Sequence, residues 1–90
     1  MLNIVAANQF KKDLKIAKKR GLNLDNLQNV VNTLANKKPL APKYRDHSLT
    51  GNYRGFRECH IEPDWLLIYR VDAEELELFL FRTGSHADLF

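Results

Sequence analysis

All three histidines of this 90-residue chain lie after position 45: His47, His60 and His86. Histidine is the side chain whose ordinary pKa lies nearest neutrality, so it can give or take a proton under mild conditions. Asp64 follows His60 across Glu62-Pro63, a turn signal, and hairpin pairing would bring those two side chains near each other. His86 follows the last predicted strand. In a β-meander the end of the third strand can return to the end of the sheet that carries the Glu62–Asp64 turn. His60, Asp64 and His86 are therefore expected to converge, with Arg82 beside them. Such parts suit attack of a ribose 2′-hydroxyl on its own phosphodiester. One group removes the 2′ proton, a second protonates the 5′ leaving oxygen, and a cation holds the phosphoryl oxygens. That chemistry requires no metal.

Each feature has a plainer reading. A single histidine in a strand is more often structural, and only three in one half of a short chain raise the catalytic reading. A His/His/Asp zinc site fits no zinc spacing, and Cys59 points to the strand face opposite His60, so no metal ligand set is expected. There is no Gly-rich phosphate loop, no Gly-x-Ser-x-Gly and no Cys-x-x-Cys, and no cofactor is expected. Trp65, Tyr69, Phe56 and Phe90 could stack bases if exposed. For Trp65 and Tyr69 core packing is the favoured role, whereas Phe90, at the very end of the chain, is hard to bury. Trp65 and Phe90 stand as candidate RNA contacts.

The elements that must position these residues follow from periodicity. Residues 2–6 are a short apolar run, readable as a strand. Asn8 is a candidate N-cap, after which Phe10, Leu14 and Ala17 fall at helical spacing with Ile16 off the stripe. The opposite face is Lys11, Lys12, Lys15, Lys18 and Lys19, and Gly21 is a stop signal. Asp25-x-x-Gln28 resembles a capping box, and Leu27, Val30, Val31 and Leu34 give a second amphipathic helix to about Lys37, ended by Pro39. Residues 39–52 read as a loop. Three strands follow, over Tyr53–Ile61, Trp65–Val71 and Leu76–Arg82. The middle one is nearly continuous in apolar residues and is expected to be covered on both faces. In the tail Ser85 could cap one helical turn with Asp88 at its third position. The order β-α-α-β-β-β predicts an α+β domain, a helical hairpin on one face of a mostly antiparallel four-stranded sheet with a short C-terminal helical turn.

Length allows one domain, over residues 1–90. The charge is split. Residues 1–45 carry ten Lys/Arg against two acids, and residues 46–90 carry four Arg against nine acids, so the halves are +8 and −5. This points to one basic surface for a polyanion, with a merely solvated helix face as the alternative. The single cysteine excludes an internal disulfide. No signal peptide and no apolar run of roughly 20 residues is visible, so a cytoplasmic location without a membrane partner is expected.

Three segments together resemble the YafQ branch of the RelE-like toxins: Asp46-His47-Ser48-Leu49-Thr50-Gly51-Asn52, His60-Ile61-Glu62-Pro63-Asp64-Trp65, and Arg82-Thr83-Gly84-Ser85-His86-Ala87-Asp88-Leu89-Phe90. The similarity is strong from Lys43 to Phe90 and collinear through the helical hairpin. It implies a microbial RNase fold and the toxin of a type II toxin–antitoxin system, an mRNA interferase. It implies a ribosome-dependent, metal-independent endoribonuclease that cuts mRNA in the 30S A site, against the rRNA, and inhibits translation. It further implies a cognate antitoxin as partner, and a toxin–antitoxin complex that binds its operator DNA through the antitoxin. Catalytic positions of the family match His47, His60, Asp64 and His86, with Arg82 and Phe90 supporting. His86 is expected as general acid, His60 or Asp64 as base, and His47 as a phosphate ligand. The RelE branch itself uses lysines, arginines and a tyrosine instead. Two other readings compete. One is a ParE-like module of the same fold that inhibits a protein such as DNA gyrase without nuclease activity; it has no need of the histidines. The other is a plain nucleic-acid-binding domain using the lysine face Lys11, Lys12, Lys15, Lys18 and Lys19.

Overall fold

The structure, a computed structural model, describes residues 1–90. Its strands are β1 (Asn3–Ala6), β2 (His47–Ser48), β3 (Arg57–Glu62), β4 (Trp65–Asp72) and β5 (Glu77–Gly84). Its helices are α1 (Asn8–Lys19), α2 (Leu24–Ala35) and α3 (His86–Leu89), and 3₁₀ turns cover Pro42–Tyr44 and Gly51–Tyr53. The strands form one sheet in the order β1-β5-β4-β3-β2, with β1 parallel to β5 and the other pairs antiparallel. The α+β class and the helical hairpin agree with the sequence reading. The sheet has five strands rather than four, because residues expected to be loop supply β2, whose two residues pair with the start of β3.

The helices form where apolar spacing demands it. Phe10 and Ala17 of α1 and Leu27, Val30, Val31 and Leu34 of α2 are buried, and they meet Trp65, Leu67, Tyr69, Leu78 and Leu80 of the sheet in one core. Helix starts differ from expectation. Ala7, not Asn8, is the N-cap of α1 and makes no side-chain cap. Asn23 caps α2 by accepting from the Asp25 N–H, so Asp25 lies inside the first turn and Gln28 bonds Asn32 instead of closing a capping box.

Trp65 through Tyr69 are all buried, as a central strand covered on both faces requires. The second face has its own small cluster of Leu66, Ile68 and Leu89, with Leu49, Tyr53, Phe56 and Phe81 against it. Period-2 alternation therefore sends Cys59 and Ile61 of β3 toward the helices and Glu58 and His60 to the other face. Burial pushes the Cys59 thiol up to about 12, and Cys59 is a core residue.

Candidate active site

Each histidine is carried by a different element. His47 opens β2 and sits directly opposite Glu58 of β3. The preceding residue is tied down: Asp46 accepts from the Tyr69 hydroxyl and, at 3.3 Å, from two nitrogens of Arg57. Burial, reinforced by Asp46, raises the Tyr69 phenol above its ordinary range, so it stays a donor. The His47 Nδ1–H donates to the Arg45 carbonyl at 2.7 Å. A carbonyl only accepts, so this bond puts a proton on Nδ1 and leaves Nε2, 3.7 Å from Glu58, as the nitrogen that can exchange one.

His86 is the first residue of α3. Ser85 caps that turn by accepting from the Asp88 N–H, while the Asp88 carboxylate accepts from the Ser85 N–H, the capping box expected from the tail. Arg20 at the end of α1 grips the same carboxylate at 2.6 Å. That ion pair, with the Ser85 N–H bond behind it, holds the Asp88 carboxyl far below the usual carboxylate range. Gly84 lets the turn approach, since a Cβ there would stand 3.0 Å from Asp88. One oxygen of Asp64 then accepts both the His86 backbone N–H at 3.0 Å and its Nδ1–H at 2.8 Å. Those two bonds, the backbone one first, lower the Asp64 pKa.

His60 lies between the other two. Its ring centroid is 6.5 Å from that of His47 and 5.6 Å from that of His86. The side chains of His47 and His86 are about half exposed, at 49% and 55%, and that of His60 is 11% exposed. The His60 Nδ1 faces the Pro63 carbonyl at 3.3 Å and its Nε2 faces Glu58 at 3.4 Å. Glu58 is also 3.7 Å from the Nε2 of His47, and its side chain is 6% exposed. A buried carboxylate thus stands between two imidazoles. Sequence reasoning missed it, although Glu58 precedes His60 by two positions on one strand, the spacing that places two side chains on one face.

The structure joins His47, His60, Asp64 and His86 but corrects their connections. The β3–β4 register shifts between His60 and Glu62, pairing His60 with Leu66 rather than bringing it opposite Asp64. Asp64 reaches His86 instead, and His86 reaches His60. The Arg82 guanidinium is turned to α1. It is held by Asp13 of α1 at 2.7 and 3.3 Å, and Asp13 also accepts from the Thr83 N–H. A second register shift, between Ile68 and Tyr69 against Arg82 and Leu80, lies where β5 runs past the end of β1, and there α1 supplies the partner. Trp65 is corrected too. It is 2% exposed, and its indole N–H donates to Thr83 at 2.9 Å, so it has no face to offer a base. Phe90 is 61% exposed, edge-on to Tyr53 at 5.2 Å, and the five lysines of α1 are all exposed.

The expectation of no metal ligand set also needs correction. One donor atom each from Glu58, His60 and His86 lies within 4.8 Å of the other two, a carboxylate and two imidazoles that could hold a transition metal. The spacing hid this set because its carboxylate was not recognised. Chemically the arrangement offers two half-exposed imidazoles, one with its Nδ1 proton held by a carbonyl and the other by a carboxylate, and a third imidazole between them.

Comparison with known proteins adds three relatives. Residues 2–90 match the family described as a bacterial toxin of the type II toxin–antitoxin system, YafQ. The chain is 40% identical over 89 residues to the mRNA interferase toxin YafQ of Escherichia coli K12, covering 98% of this chain and 95% of that protein. The crystal structure of a metal-bound toxin from Helicobacter pylori is similar over the whole of both chains, at 52% identity and a TM-score of 0.94. YafQ from the E. coli DinJ–YafQ toxin–antitoxin complex is 40% identical, at a TM-score of 0.89 over 99% of this chain and 97% of that one.

Proposed function

This chain belongs to the YafQ family of bacterial type II toxins, and from that premise we propose that it is a ribosome-dependent endoribonuclease cutting mRNA in the A site by side-chain proton transfer. The relatives named as mRNA interferases support cleavage of mRNA. One observation carries the chemistry: two exposed imidazoles, each with its Nδ1 proton fixed by a protein acceptor, flank a third.

His86 is the general acid. Asp64 holds its Nδ1–H, so Nε2 is the nitrogen turned to substrate, where it delivers a proton to the 5′ oxygen as the P–O bond breaks. Asp64 itself is a poor base, since its own hydrogen bonds stabilise its ionised form. His47, with Nδ1 held by the Arg45 carbonyl and its side chain half exposed, is the base that takes the 2′-hydroxyl proton through Nε2, a role first expected of His60 or Asp64. His60 lies between them, its nitrogens facing the Pro63 carbonyl and Glu58, and completes the cluster beside the phosphoryl oxygens. The products are a 2′,3′-cyclic phosphate and a 5′-hydroxyl. Atoms and protons balance between His47 and His86.

Such a small open site makes few RNA contacts of its own. Alignment for in-line attack is worth several kcal/mol, up to about 7–11 in favourable cases, and the ribosome would supply it. A cognate antitoxin is the proposed protein partner, as DinJ is for the E. coli relative. The antitoxin would carry the complex to its operator DNA. The test compares cleavage of one mRNA naked and on translating ribosomes. Cleavage should be confined to the ribosome-bound message, and equal cutting of both would sink ribosome dependence.

A metal reading is favoured by a specific observation, the Glu58-His60-His86 donor set together with the metal-bound H. pylori relative. Two of those three groups, His60 and His86, belong to the proposed cleavage site. Metal bound there would therefore inhibit, and copper or zinc added to an active sample should stop cleavage, with chelator restoring it.

A further inference from the structure

A cavity of about 410 Å³ opens against His60, between α2 and the 3₁₀ turn at Pro42–Tyr44. Its size lies near the small end of the roughly 300–1,000 Å³ typical of small-molecule sites, room for one nucleotide rather than a stretch of chain. Asn26 and Asn29 line it from α2, three residues apart and so on one helix face. Their carboxamides make no internal hydrogen bond, whereas Asn23, Asn32 and Asn36 of the same region all use theirs. A free carboxamide offers a donor pair beside an acceptor, the complement of a base edge.

Opposite them, Tyr44 presents a half-buried ring with the Lys43 ammonium 5.1 Å from its centroid. Arg45 completes that wall. None of the molecule's ion pairs uses Lys43 or Arg45. Arg45 sits in the left-handed region at φ 49°, and its carbonyl is the one that fixes the His47 proton. The cavity therefore shares one wall with His60 and is joined through a single backbone carbonyl to His47.

Resting on the nuclease reading above, we propose that this cavity is the subsite for the mRNA nucleotide next to the scissile phosphodiester. Asn26 and Asn29 read the edge of its base, Tyr44 stacks its face, and Lys43 and Arg45 hold its phosphate. Glu62, the cavity's carboxylate, repels phosphate from its end and accepts from an exocyclic amine, so adenine, cytosine or guanine is preferred to uracil. The site would supply part of the sequence preference of the cut.

The test pairs binding with cutting. Trinucleotides with 2′-O-methyl riboses, which cannot be cleaved, are titrated into the ¹⁵N-labelled protein, differing only in the middle base. The side-chain amides of Asn26 and Asn29 should shift, most for an amino-bearing base. The Asn26→Ala/Asn29→Ala variant, whose changes lie on an exposed helix face, should bind about tenfold more weakly. In a translation extract the same variant should cut preferred sites about tenfold less and spread its 5′ ends over other sequences. Unmoved Asn26 and Asn29 amides at saturation, or a 5′-end distribution identical to wild type, would overturn the subsite. So would shifts produced by purified antitoxin but by none of the trinucleotides, which would make the cavity an antitoxin seat. A wild-type protein that binds the trinucleotides here yet cuts no mRNA would refute the nuclease reading and leave the nucleotide site standing.

Discussion

At the scale of single residues, Glu58 faces two histidines at once. It lies nearer to the His60 nitrogen than to that of His47, at 3.4 against 3.7 Å, so removing its charge should act mainly through His60. Glu58→Gln keeps the shape and removes the charge, and it should lower the single-turnover cleavage rate by at least about tenfold while the fold survives. A wild-type rate would take Glu58 out of the mechanism. His86→Ala should cost about 10²–10⁴-fold in rate, the usual contribution of a positioned acid. Its side chain is more than half exposed, so stability should change by less than about 0.5 kcal/mol. Growth arrest on induction, paired with thermal melting, separates the two effects, and a folded variant that still arrests growth at full strength would clear His86 of any role. Asp64 has its pKa lowered by the His86 N–H groups, so its contribution is complete above the ordinary carboxylate pKa of about 3.9 and is lost as pH falls below that value. The Asp64 carboxyl ¹³C shift should stay flat from pH 8 to 5 and move only in acid. A midpoint near 6 would contradict the clamp.

Elements place these side chains, and α1 contributes more to the site's surroundings than its periodicity suggests. Asp13 falls among charged residues yet is buried, because Arg82 and the Thr83 N–H need an acceptor where β5 outruns β1. Hydrogen bonds to charged groups are worth about 1.5–3 kcal/mol each, less here since Arg82 is a quarter exposed. Asp13→Ala should cost about 2 kcal/mol, which for a domain of this size is a Tm loss of roughly 8–16 °C. An unchanged Tm would mean the edge of β5 is satisfied by water. Arg20 and Asp88 pin α3 to the end of α1, but that pair is exposed, so Arg20→Ala should speed amide exchange in α3 with little change in global stability. The helices, the buried β4 and the Ser85–Asp88 capping box were legible because each is a local pattern of spacing or cap. The partner of Arg82 was hidden because Asp13 lies some seventy positions away and no local pattern reveals it, whereas the burial of Trp65 follows from the apolar run of β4 itself. The two-residue β2 is too short to leave a periodic signal at all.

The whole molecule carries its excess positive charge in the first half, on a face where Lys11, Lys15 and Lys18 are exposed. A polyanion, whether an acidic segment of the proposed antitoxin or rRNA, would be drawn to such a face chiefly through the association rate. Charge reversal at those three lysines should slow association with at least one of them and flatten its salt dependence, and no change in either would leave the face as mere solvation. No helix is long and apolar enough to cross a membrane. The central claim, RNA cleavage by histidine proton transfer, is tested most directly by the chemistry of the cut ends formed on ribosomes in the presence of chelator. The account predicts 2′,3′-cyclic phosphate and 5′-hydroxyl termini that survive EDTA and vanish in His86→Ala. Termini of 3′-hydroxyl and 5′-phosphate that appear only with metal would contradict it.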